Sequence, residues 1–412
     1  MSTPAAHAPL LFAVKQGEIH FGDTSVSQLA TRLSTPFYAY DSGLIAQRIE
    51  ELRAALPEHV LLHYAIKANP YPPLLQRMAA WVDGADIASA GAAVSELQRA
   101  LDAGFEAHTL SFAGPGKRDA ELLAALRVGI TVNVESQGEL TRLLKLGEAH
   151  SLQPRIALRI NPPFELKGSG MRMGGGAKPF GIDAEQASDI LKEIKKMPVD
   201  FQGLHIFFGS QSLNAEAIMQ SHRQALDLAK DLLLESGLNA RHINIGGGLG
   251  IPYFPGEDRL NIKQIGNNLH KMIEENAVWL GATRLILELG RYLVGEAGAY
   301  VTRIVDRKTS RGETFLICDG GMHHHLALSG NLGQVIRKNY PVYLAHRADA
   351  QASETVNIHG PLCTPLDILG SKVALPHAEV GDLLVITQSG AYGLSASPVN
   401  FLGHPWAGEV FL

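Results

Sequence analysis

Leu61-Leu62-His63-Tyr64-Ala65-Ile66-Lys67-Ala68-Asn69-Pro70 is an apolar run that ends in a lysine and a proline, with two more prolines at 72 and 73. Such a run predicts a buried strand, and the prolines end it. Lys67 is therefore expected at the carboxyl end of a strand whose body is buried. Burial lowers the pKa of a lysine amine, and a neutral amine attacks carbonyl groups, so Lys67 is a candidate nucleophile. The alternative is a strand-end lysine whose ammonium group extends into solvent.

The same alternation of strand and helix continues along the chain. Eight strands are predicted, at 60–66, 85–88, 109–112, 130–134, 156–160, 201–206, 242–245 and 285–289. Helix-period stretches are found at 43–56, 73–81, 92–103, 118–127, 136–147, 184–196, 214–236 and 262–279. Strands that alternate with helices indicate a parallel sheet, and eight such units predict an α/β fold with a closed (β/α)₈ barrel of the TIM type.

The pattern changes at about residue 294. Short alternating runs between glycines and prolines predict strands at 298–305, 314–318, 341–345, 355–358 and 383–386. These predict a second, antiparallel β domain. Short strand-like pieces before residue 37 are assigned to the same domain. The predicted division is a barrel at 37–293, inserted into a β domain formed by 1–36 and 294–412.

Composition limits the class of protein. With 412 residues, two domains are expected, and 46% hydrophobic with 19% charged residues is typical of a soluble enzyme. A net charge of −5 does not favour a nucleic-acid partner. No signal peptide and no run of membrane-spanning length is apparent. Two cysteines, Cys318 and Cys363, cannot form a disulfide framework, which favours a reducing cytoplasm.

Polar and glycine residues cluster where the predicted strands end, which is where barrel enzymes place their active sites. These residues are Lys67, Asp86, Ser89, 133–136, 159–162, 209–211, Gly246, Gly247, Gly248 and 288–291. Three consecutive glycines let backbone N–H groups approach an anion closely, as at many phosphate sites. A tight strand–loop turn is the alternative explanation for the glycines.

The motif Tyr64-Ala65-Ile66-Lys67-Ala68-Asn69 resembles the cofactor-lysine motif of pyridoxal-phosphate decarboxylases with the alanine-racemase-like fold, the diaminopimelate and ornithine decarboxylase group. The resemblance covers nearly the whole chain. It is strongest to the decarboxylases encoded with exosortase systems and to the carrier-protein glutamyl decarboxylase of butirosin synthesis. It implies that Lys67 holds pyridoxal 5'-phosphate as a Schiff base.

The resemblance also implies roles for the other strand-end residues. Glu288, in Glu288-Leu289-Gly290-Arg291, matches the glutamate that pairs with the pyridine nitrogen, where alanine racemases have an arginine. A carboxylate there favours the protonated ring and hence decarboxylation over racemisation. The glycine run, Ser210, Arg291 and Tyr392 match the phosphate-binding positions. Asp86, Phe207 and Gly290 complete the predicted cofactor site.

His359-Gly360-Pro361-Leu362-Cys363 resembles the segment that crosses the dimer interface in these enzymes. The resemblance implies a homodimer with shared active sites, in which the cysteine returns a proton to the product carbon. A thiol near neutral pH can do this. A small buried hydrophobe is the alternative role of a lone cysteine, and is the one expected for Cys318.

His323-His324-His325 raises the question of a metal site. Consecutive strand residues point to opposite faces, so a solvated or rim position is predicted and no metal is expected.

Four departures from the family lie on the substrate side. Phe207 replaces a histidine, Thr364 replaces a glutamate for the distal amine, Ala327 replaces an arginine for the distal carboxylate, and 398–399 replace a tyrosine.

The predicted function is therefore pyridoxal-phosphate-dependent decarboxylation of an α-amino acid or of an aminoacyl group on a carrier protein. Charges in the Gly-rich loop 163–178 could meet such a carrier, although an ordinary mobile lid is equally compatible. Diaminopimelate, ornithine or lysine decarboxylation is an alternative, and a non-enzymatic pyridoxal-phosphate-binding protein is another.

Overall fold

In the computed structural model, the described residues are 10–91, 95–166, 171–254, 256–330 and 337–412, with backbone only at 171 and 172. They form two compact units. The barrel unit comprises Ile49–Gly250 and Leu260–Gly290. The β unit comprises the described residues up to Arg48, those within Ile251–Arg259, and Arg291–Leu412.

The barrel unit confirms the predicted fold. Its eight strands are Val60–Ala65, Gly84–Ile87, Leu110–Phe112, Thr131–Val134, Arg155–Asn161, Asp200–Ile206, His242–Asn244 and Arg284–Leu289. Each strand pairs in parallel with the next, and the eighth pairs in parallel with the first, so the ring closes. Two short strand pairs lie at the rim of the barrel. Ile182–Asp183 pairs in parallel with the end of the fifth strand, and Met171–Arg172 pairs antiparallel with Gly209–Ser210.

Helices alternate with these strands. Their bounds are Ser42–Ala55, which crosses the unit boundary, Pro72–Trp81, Glu96–Asp102, Asp119–Val128, Gln137–His150, Ala184–Ile194, Ala215–Ser236, Ile262–Glu275 and Ala277–Leu280. Local sequence sets several ends: the side chains of Ser95, Ser136 and Asn214 accept backbone N–H groups at helix starts. The predicted helix at 92–103 begins at Glu96, and residues 92–94 lie outside the described residues.

The β unit contains an eight-stranded sheet. Its strands are Phe37–Tyr40, Gly298–Ser310, Glu313–Cys318, Val342–Leu344, Glu354–His359, Ile368–Leu375, Leu383–Ile386 and Gly408–Phe411. The short helix Arg291–Val294 precedes the long strand Gly298–Ser310, which pairs with three others. The sheet is mostly antiparallel, which confirms the predicted antiparallel β domain. Two pairs are parallel: Glu313–Cys318 with Glu354–His359, and Phe37–Tyr40 with Gly408–Phe411. Long connections between paired strands permit parallel pairing.

The N-terminal segment packs in the β unit. Strands Ala13–Lys15, Glu18–Phe21 and Thr24–Ser25 form a small sheet, followed by helix Val26–Leu33. That helix was not predicted, although Ser25 and Gln28 form a capping box that the sequence displays. Phe12, Ile19 and Phe21 share one apolar core with strands of the large sheet.

The observed unit boundaries differ from the predicted ones at two places. Residues 37–48, assigned from sequence to the barrel, lie in the β unit because Phe37–Tyr40 pairs with Gly298–Ser310. A loop after the seventh barrel strand, Ile251–Arg259, also groups with the β unit. Arg259 pairs there with Glu296 at 2.9 Å.

Candidate active site

Lys67 lies just past the first barrel strand. That strand ends at Ala65, and Ile66–Ala68 forms a single 3₁₀ turn. Proline begins the next helix at Pro72, which prevents the strand from continuing. The Lys67 side chain is 44% exposed, so it is accessible and not buried as the strand body is. Its Nζ lies 3.8 Å from Glu288 Oε1 and 5.7 Å from the ring centre of Phe207.

Glu288 is buried at the end of the eighth strand, opposite His63 of the first. Its Oε2 lies 3.2 Å from His205 Nε2, but the atoms are not aligned as a hydrogen bond, and among the described residues neither atom has a hydrogen-bond partner. Burial by itself raises the pKa of Glu288, but the proximity of His205 and the charges of Lys67 and Arg159 outweigh it. The net effect is a lowered pKa, so Glu288 is a carboxylate at neutral pH.

Asp86 begins a polar chain across the barrel interior. Its carboxylate accepts a hydrogen bond from Ser111 Oγ, which in turn accepts one from Asn133 Nδ2 at 3.0 Å. The second Asp86 oxygen lies 3.4 Å from His63 Nδ1. All four side chains are buried, and they come from four consecutive strands. This chain orients Asp86 at the end of the second strand.

The triple glycine forms a cradle that no larger residue could occupy without rearrangement. Gly246 and Gly248 have φ values of +69° and +79°, a left-handed backbone that favours glycine. A Cβ on Gly247 would lie 2.3 Å from the Glu288 carbonyl oxygen. Asn244 Oδ1 accepts the Gly246 N–H at 2.8 Å, which fixes the start of the loop. The conformation therefore requires glycines.

His222 supports this glycine loop and was missed from sequence. It is fully buried on helix Ala215–Ser236, and its Nε2–H donates to the Gly247 carbonyl at 3.1 Å. Burial lowers its pKa to about 4, so the ring is neutral at pH 7. A histidine inside a long amphipathic helix gives no local sign that its partner is a loop on a strand end.

A buried charge network lies beside the site in the barrel unit. Arg159 donates to Glu135 at 2.8 Å, and Lys117 donates to Glu139 at 2.8 Å. Glu135 also accepts backbone N–H groups from two loops, at Gly114 and Gly181. Glu135 and Arg159 were predicted at the rim, but Lys117 and Glu139 were not. The network joins successive loops of the barrel rim.

Ser210 and Gly290 occupy the rim of the barrel unit as well. Ser210 lies opposite Met171 in the small strand pair. A Cβ on Gly290 would lie 2.9 Å from the Ala68 Cβ, so this glycine lets the eighth strand approach the turn that holds Lys67.

Arg291 and Tyr392 lie in the β unit and contact each other. The Arg291 guanidinium lies 4.7 Å from the Tyr392 ring centre, and its Nη1 donates to Tyr253 Oη at 2.5 Å. Tyr253 packs on the buried Tyr340, with ring centres 4.8 Å apart. Tyr392 has a φ of +53°. Two tyrosines unpredicted from the sequence, Tyr253 and Tyr340, thus hold Arg291 in place.

The two cysteines have opposite environments. Cys363 is exposed, and Cys318 is fully buried. Burial raises the pKa of the Cys318 thiol far above its usual range. Cys318 is therefore inert, as expected, and Cys363 is the accessible thiol.

His323, His324 and His325 were predicted to be solvated or to lie at the rim of the site, and the solvated alternative is wrong. All three are buried in the β unit. His324 Nε2 lies 2.8 Å from the Pro405 carbonyl oxygen, and His325 Nε2 lies 3.0 Å from Ser389 Oγ. Within the described ranges, no group of three or more histidine, cysteine or acidic side chains is arranged to hold a metal ion. In the same part of the chain, no helix is long and apolar enough to cross a bilayer.

Comparison with known proteins agrees with this geometry. A family model described as pyridoxal-dependent decarboxylase, pyridoxal binding domain, matches residues 42–295. The L-glutamyl-[BtrI acyl-carrier protein] decarboxylase of Niallia circulans is 38% identical over 398 residues, 95% of this chain and 92% of that protein. The diaminopimelate decarboxylase of Aquifex aeolicus is 31% identical over 401 residues, 97% of this chain and 91% of that protein.

Solved structures extend the likeness to the fold. Diaminopimelate decarboxylase from M. jannaschii, in co-complex with L-lysine, has a TM-score of 0.87 and 25% identity, covering 97% of this chain and 92% of that one. The protein is thus a pyridoxal-phosphate enzyme of the barrel type. More particularly, it belongs to the family of pyridoxal-phosphate-dependent decarboxylases, which are carboxy-lyases acting on amino-acid substrates. Membership in this family of enzymes argues against the alternative that the protein only binds pyridoxal phosphate without catalysing a reaction.

The barrel residues fit pyridoxal 5'-phosphate. The cofactor has a ring nitrogen that needs a partner, and Glu288 Oε2 is a buried oxygen without a hydrogen-bond partner among the described residues. The glycine cradle excludes side chains, as a site for close backbone approach to phosphate requires. Lys67 has its amine beside Glu288.

Acid should destabilise the protein through His222. Its pKa is about 4 in the fold against 6.5 ordinarily, so the unfolded chain binds a proton that the folded chain does not. Its contribution to stability is complete above the ordinary value and is lost as pH falls from 6.5 towards 4. The loss reaches about 3 kcal/mol.

Urea unfolding over this pH range measures the effect. His222→Gln keeps a donor for the Gly247 carbonyl but cannot titrate, so its stability should fall less steeply with acid than that of the wild type. Equal pH slopes for the two proteins would contradict the assignment.

Proposed function

We propose that this decarboxylase acts on an α-amino acid joined as a thioester to a carrier protein. The proposal is supported by the relative from Niallia circulans, whose name specifies an L-glutamyl group on an acyl-carrier protein. We also propose that the enzyme is a cytoplasmic homodimer. A reducing compartment would keep the exposed Cys363 as a free thiol.

The residues at the substrate-side positions favour a substrate whose end distant from the reacting α-carbon carries no charge. Free diaminopimelate ends in an amine and a carboxylate, and a buried charge left unpaired costs several kcal/mol. A site for it therefore needs opposite charges, and such sites discriminate strongly. Ala327, which is buried, and Thr364 have no charge at the positions where the resembling diaminopimelate decarboxylases have arginine and glutamate. A thioester needs neither charge.

The cofactor-side residues have five tasks in this proposal. Lys67 would hold the cofactor covalently through its amine. Glu288 keeps a negative charge at the ring nitrogen, Asp86 and Phe207 contact the ring, and Gly290 allows close packing. The remaining cofactor ligands are assigned to the phosphate: Gly246, Gly247, Gly248, Ser210, Arg291 and Tyr392. When bound, pyridoxal phosphate withdraws the electron pair that departing carbon dioxide leaves behind.

Cys363 of the partner subunit is proposed as the proton donor that completes the reaction. The bond between the α-carbon and the carboxylate breaks, and carbon dioxide leaves. The thiol proton then forms the new C–H bond, and the thiolate recovers a proton from water. An exposed thiol on a loop suits a group that acts in a neighbouring subunit.

A substrate comparison tests the proposed function. Glutamyl and lysyl thioesters on a holo-carrier protein should give kcat/KM values at least about tenfold above those of free diaminopimelate, ornithine, lysine and glutamate. The same aminoacyl groups on free pantetheine separate the effect of the neutral thioester from that of the carrier surface.

The double variant Ala327→Arg with Thr364→Glu is the matched control. It restores both charges, so it should lose activity on thioesters and gain activity on free diaminopimelate. The proposal fails if the wild-type enzyme prefers free diaminopimelate, which would instead make it an ordinary diaminopimelate decarboxylase.

Mixing two inactive variants tests the shared site. Lys67→Ala and Cys363→Ala homodimers each lack one essential group at every site. Random exchange of subunits makes half of the dimers mixed, and each mixed dimer has one intact site, so recovery should approach about a quarter of wild-type activity. No recovery after exchange is verified by mass spectrometry would count against a site shared between subunits.

A further inference from the structure

The loop that bears Cys363 closes a β-hairpin. Residues 360–367 connect strands Glu354–His359 and Ile368–Leu375, which pair antiparallel. Cys363 is exposed on this loop, and Asp367 at its base is only 1% exposed. A fully buried carboxylate is costly unless it is hydrogen-bonded. The Asp367 carboxylate is therefore expected to accept hydrogen bonds from its surroundings.

The Asp367 carboxylate joins two separate pieces of chain. Oδ1 accepts the Met322 N–H at 2.6 Å, and Oδ2 accepts the Leu362 N–H at 2.7 Å. The Asp367 carbonyl also accepts the Gly360 N–H at 3.1 Å, which closes the loop on itself. One side chain thus fixes the residue immediately before Cys363 to the segment that follows strand Glu313–Cys318. Charge-assisted bonds of this length are the strong ones.

Two glycines allow this arrangement. A Cβ on Gly321 would lie 2.3 Å from Asp367 Oδ1, and a Cβ on Gly360 would lie 2.4 Å from Oδ2. The Gly360 Cβ would also lie 2.4 Å from the Gly321 Cα. The loop therefore packs directly on the Gly321 backbone, with the carboxylate held between them. No side chain fits in that space.

We propose that Asp367 is a positioning residue for the protonation step. Its carboxylate sets where Leu362, and therefore the adjacent Cys363 thiol, stands in the shared site. The proposal rests on the proposed role of Cys363. A thiol held in place delivers its proton to the product carbon. A displaced thiol would leave that carbon unprotonated. A proton taken up on the bound cofactor instead would, after hydrolysis by water, give an aldehyde and pyridoxamine phosphate in place of the amine.

The test measures the ratio of aldehyde to amine in the holoenzyme. Asp367→Asn replaces one acceptor oxygen with an N–H donor that faces another N–H. We expect the aldehyde fraction to rise about tenfold or more, because small displacements of a reacting group have large effects on rate. kcat should fall more than KM rises, and Cys363 should still react with a thiol-specific reagent.

Asp382→Asn is the matched control. Asp382 also accepts a backbone N–H, from Glu379 at 2.8 Å, and pairs with Arg347. It lies in a different turn of the same unit, so this variant should leave the ratio unchanged. An equal rise in both variants would mean that general loosening, and not positioning, changes the ratio.

Cys363→Ala separates the two proposals. If it leaves the ratio unchanged, the proton-donor role is wrong and the positioning role falls with it. If Cys363→Ala raises the aldehyde fraction while Asp367→Asn does not, only the positioning role is overturned.

If Asp367→Asn fails to fold, hydrogen exchange of the wild-type protein tests whether the Asp367 carboxylate holds the Met322 and Leu362 amides. The Met322 and Leu362 amides should exchange at least about a hundredfold more slowly than exposed amides, as stable hydrogen bonds require. Exchange at the rate of an open loop would refute the clamp.

Discussion

Lys67→Ala should lose turnover by about 10⁴-fold or more, because the proposed covalent bond to the cofactor needs an amine that alanine lacks. The amine of Lys67 lies 3.8 Å from Glu288, and its side chain is accessible. Borohydride reduction of the wild-type holoenzyme should leave the cofactor attached to the peptide that contains Lys67. Peptide mass spectrometry locates that label.

Two controls sharpen this result. Lys67→Arg keeps a positive charge beside Glu288 but cannot form the link, so it should be as inactive as the alanine variant. Lys145→Ala, at an exposed position on helix Gln137–His150, should retain full activity. Label on another lysine, or an active Lys67→Ala enzyme, would remove Lys67 from its proposed role.

Glu288→Gln should lower kcat/KM by about 10²- to 10³-fold, the effect typical of removing one electrostatic partner from a dry active site. The pKa of Glu288 is lowered by His205, Lys67 and Arg159 despite burial, so the wild-type side chain is charged at neutral pH. Glutamine has the same shape without the charge. The absorption spectrum of the bound cofactor should shift as well, since the charge on its ring changes.

Glu139→Gln is the comparison for this variant. Glu139 is another buried carboxylate of the barrel unit, paired with Lys117 at 2.8 Å. Its replacement should leave the cofactor spectrum unchanged, because in this proposal Glu288 is the carboxylate that acts on the ring. An unchanged spectrum and unchanged kcat/KM in Glu288→Gln would refute the pairing with the ring nitrogen.

Much of the barrel could be predicted from sequence because its signals are local. A buried parallel strand is a short apolar run, and a surface helix repeats its apolar residues every three or four positions. Eight such pairs imply a closed barrel, and a closed barrel places strand ends at one rim. Lys67, Phe207 and Glu288 lie together for that reason. Their catalytic and cofactor roles remain predictions.

Other features depended on residues far apart in the chain. His222 binds a glycine loop 25 residues away, and Asp367 binds Met322 across 45 residues. The burial of His323–His325 and the two parallel strand pairs are of the same kind. For none of these residues does the neighbouring sequence predict the partner that it contacts in the fold.

The sequence by itself therefore determined the barrel, which follows from short-range periodicity. It also indicated the family and the cofactor, through the resemblance of the motif around Lys67 to that of known decarboxylases. Only the tertiary structure decided which strands of the β unit run parallel, which histidines are neutral, and which carboxylate holds the Cys363 loop. Those outcomes depend on burial and on hydrogen bonds between distant segments. A polar group removed from water must find a partner wherever the fold supplies one, and the order of residues does not specify where that is.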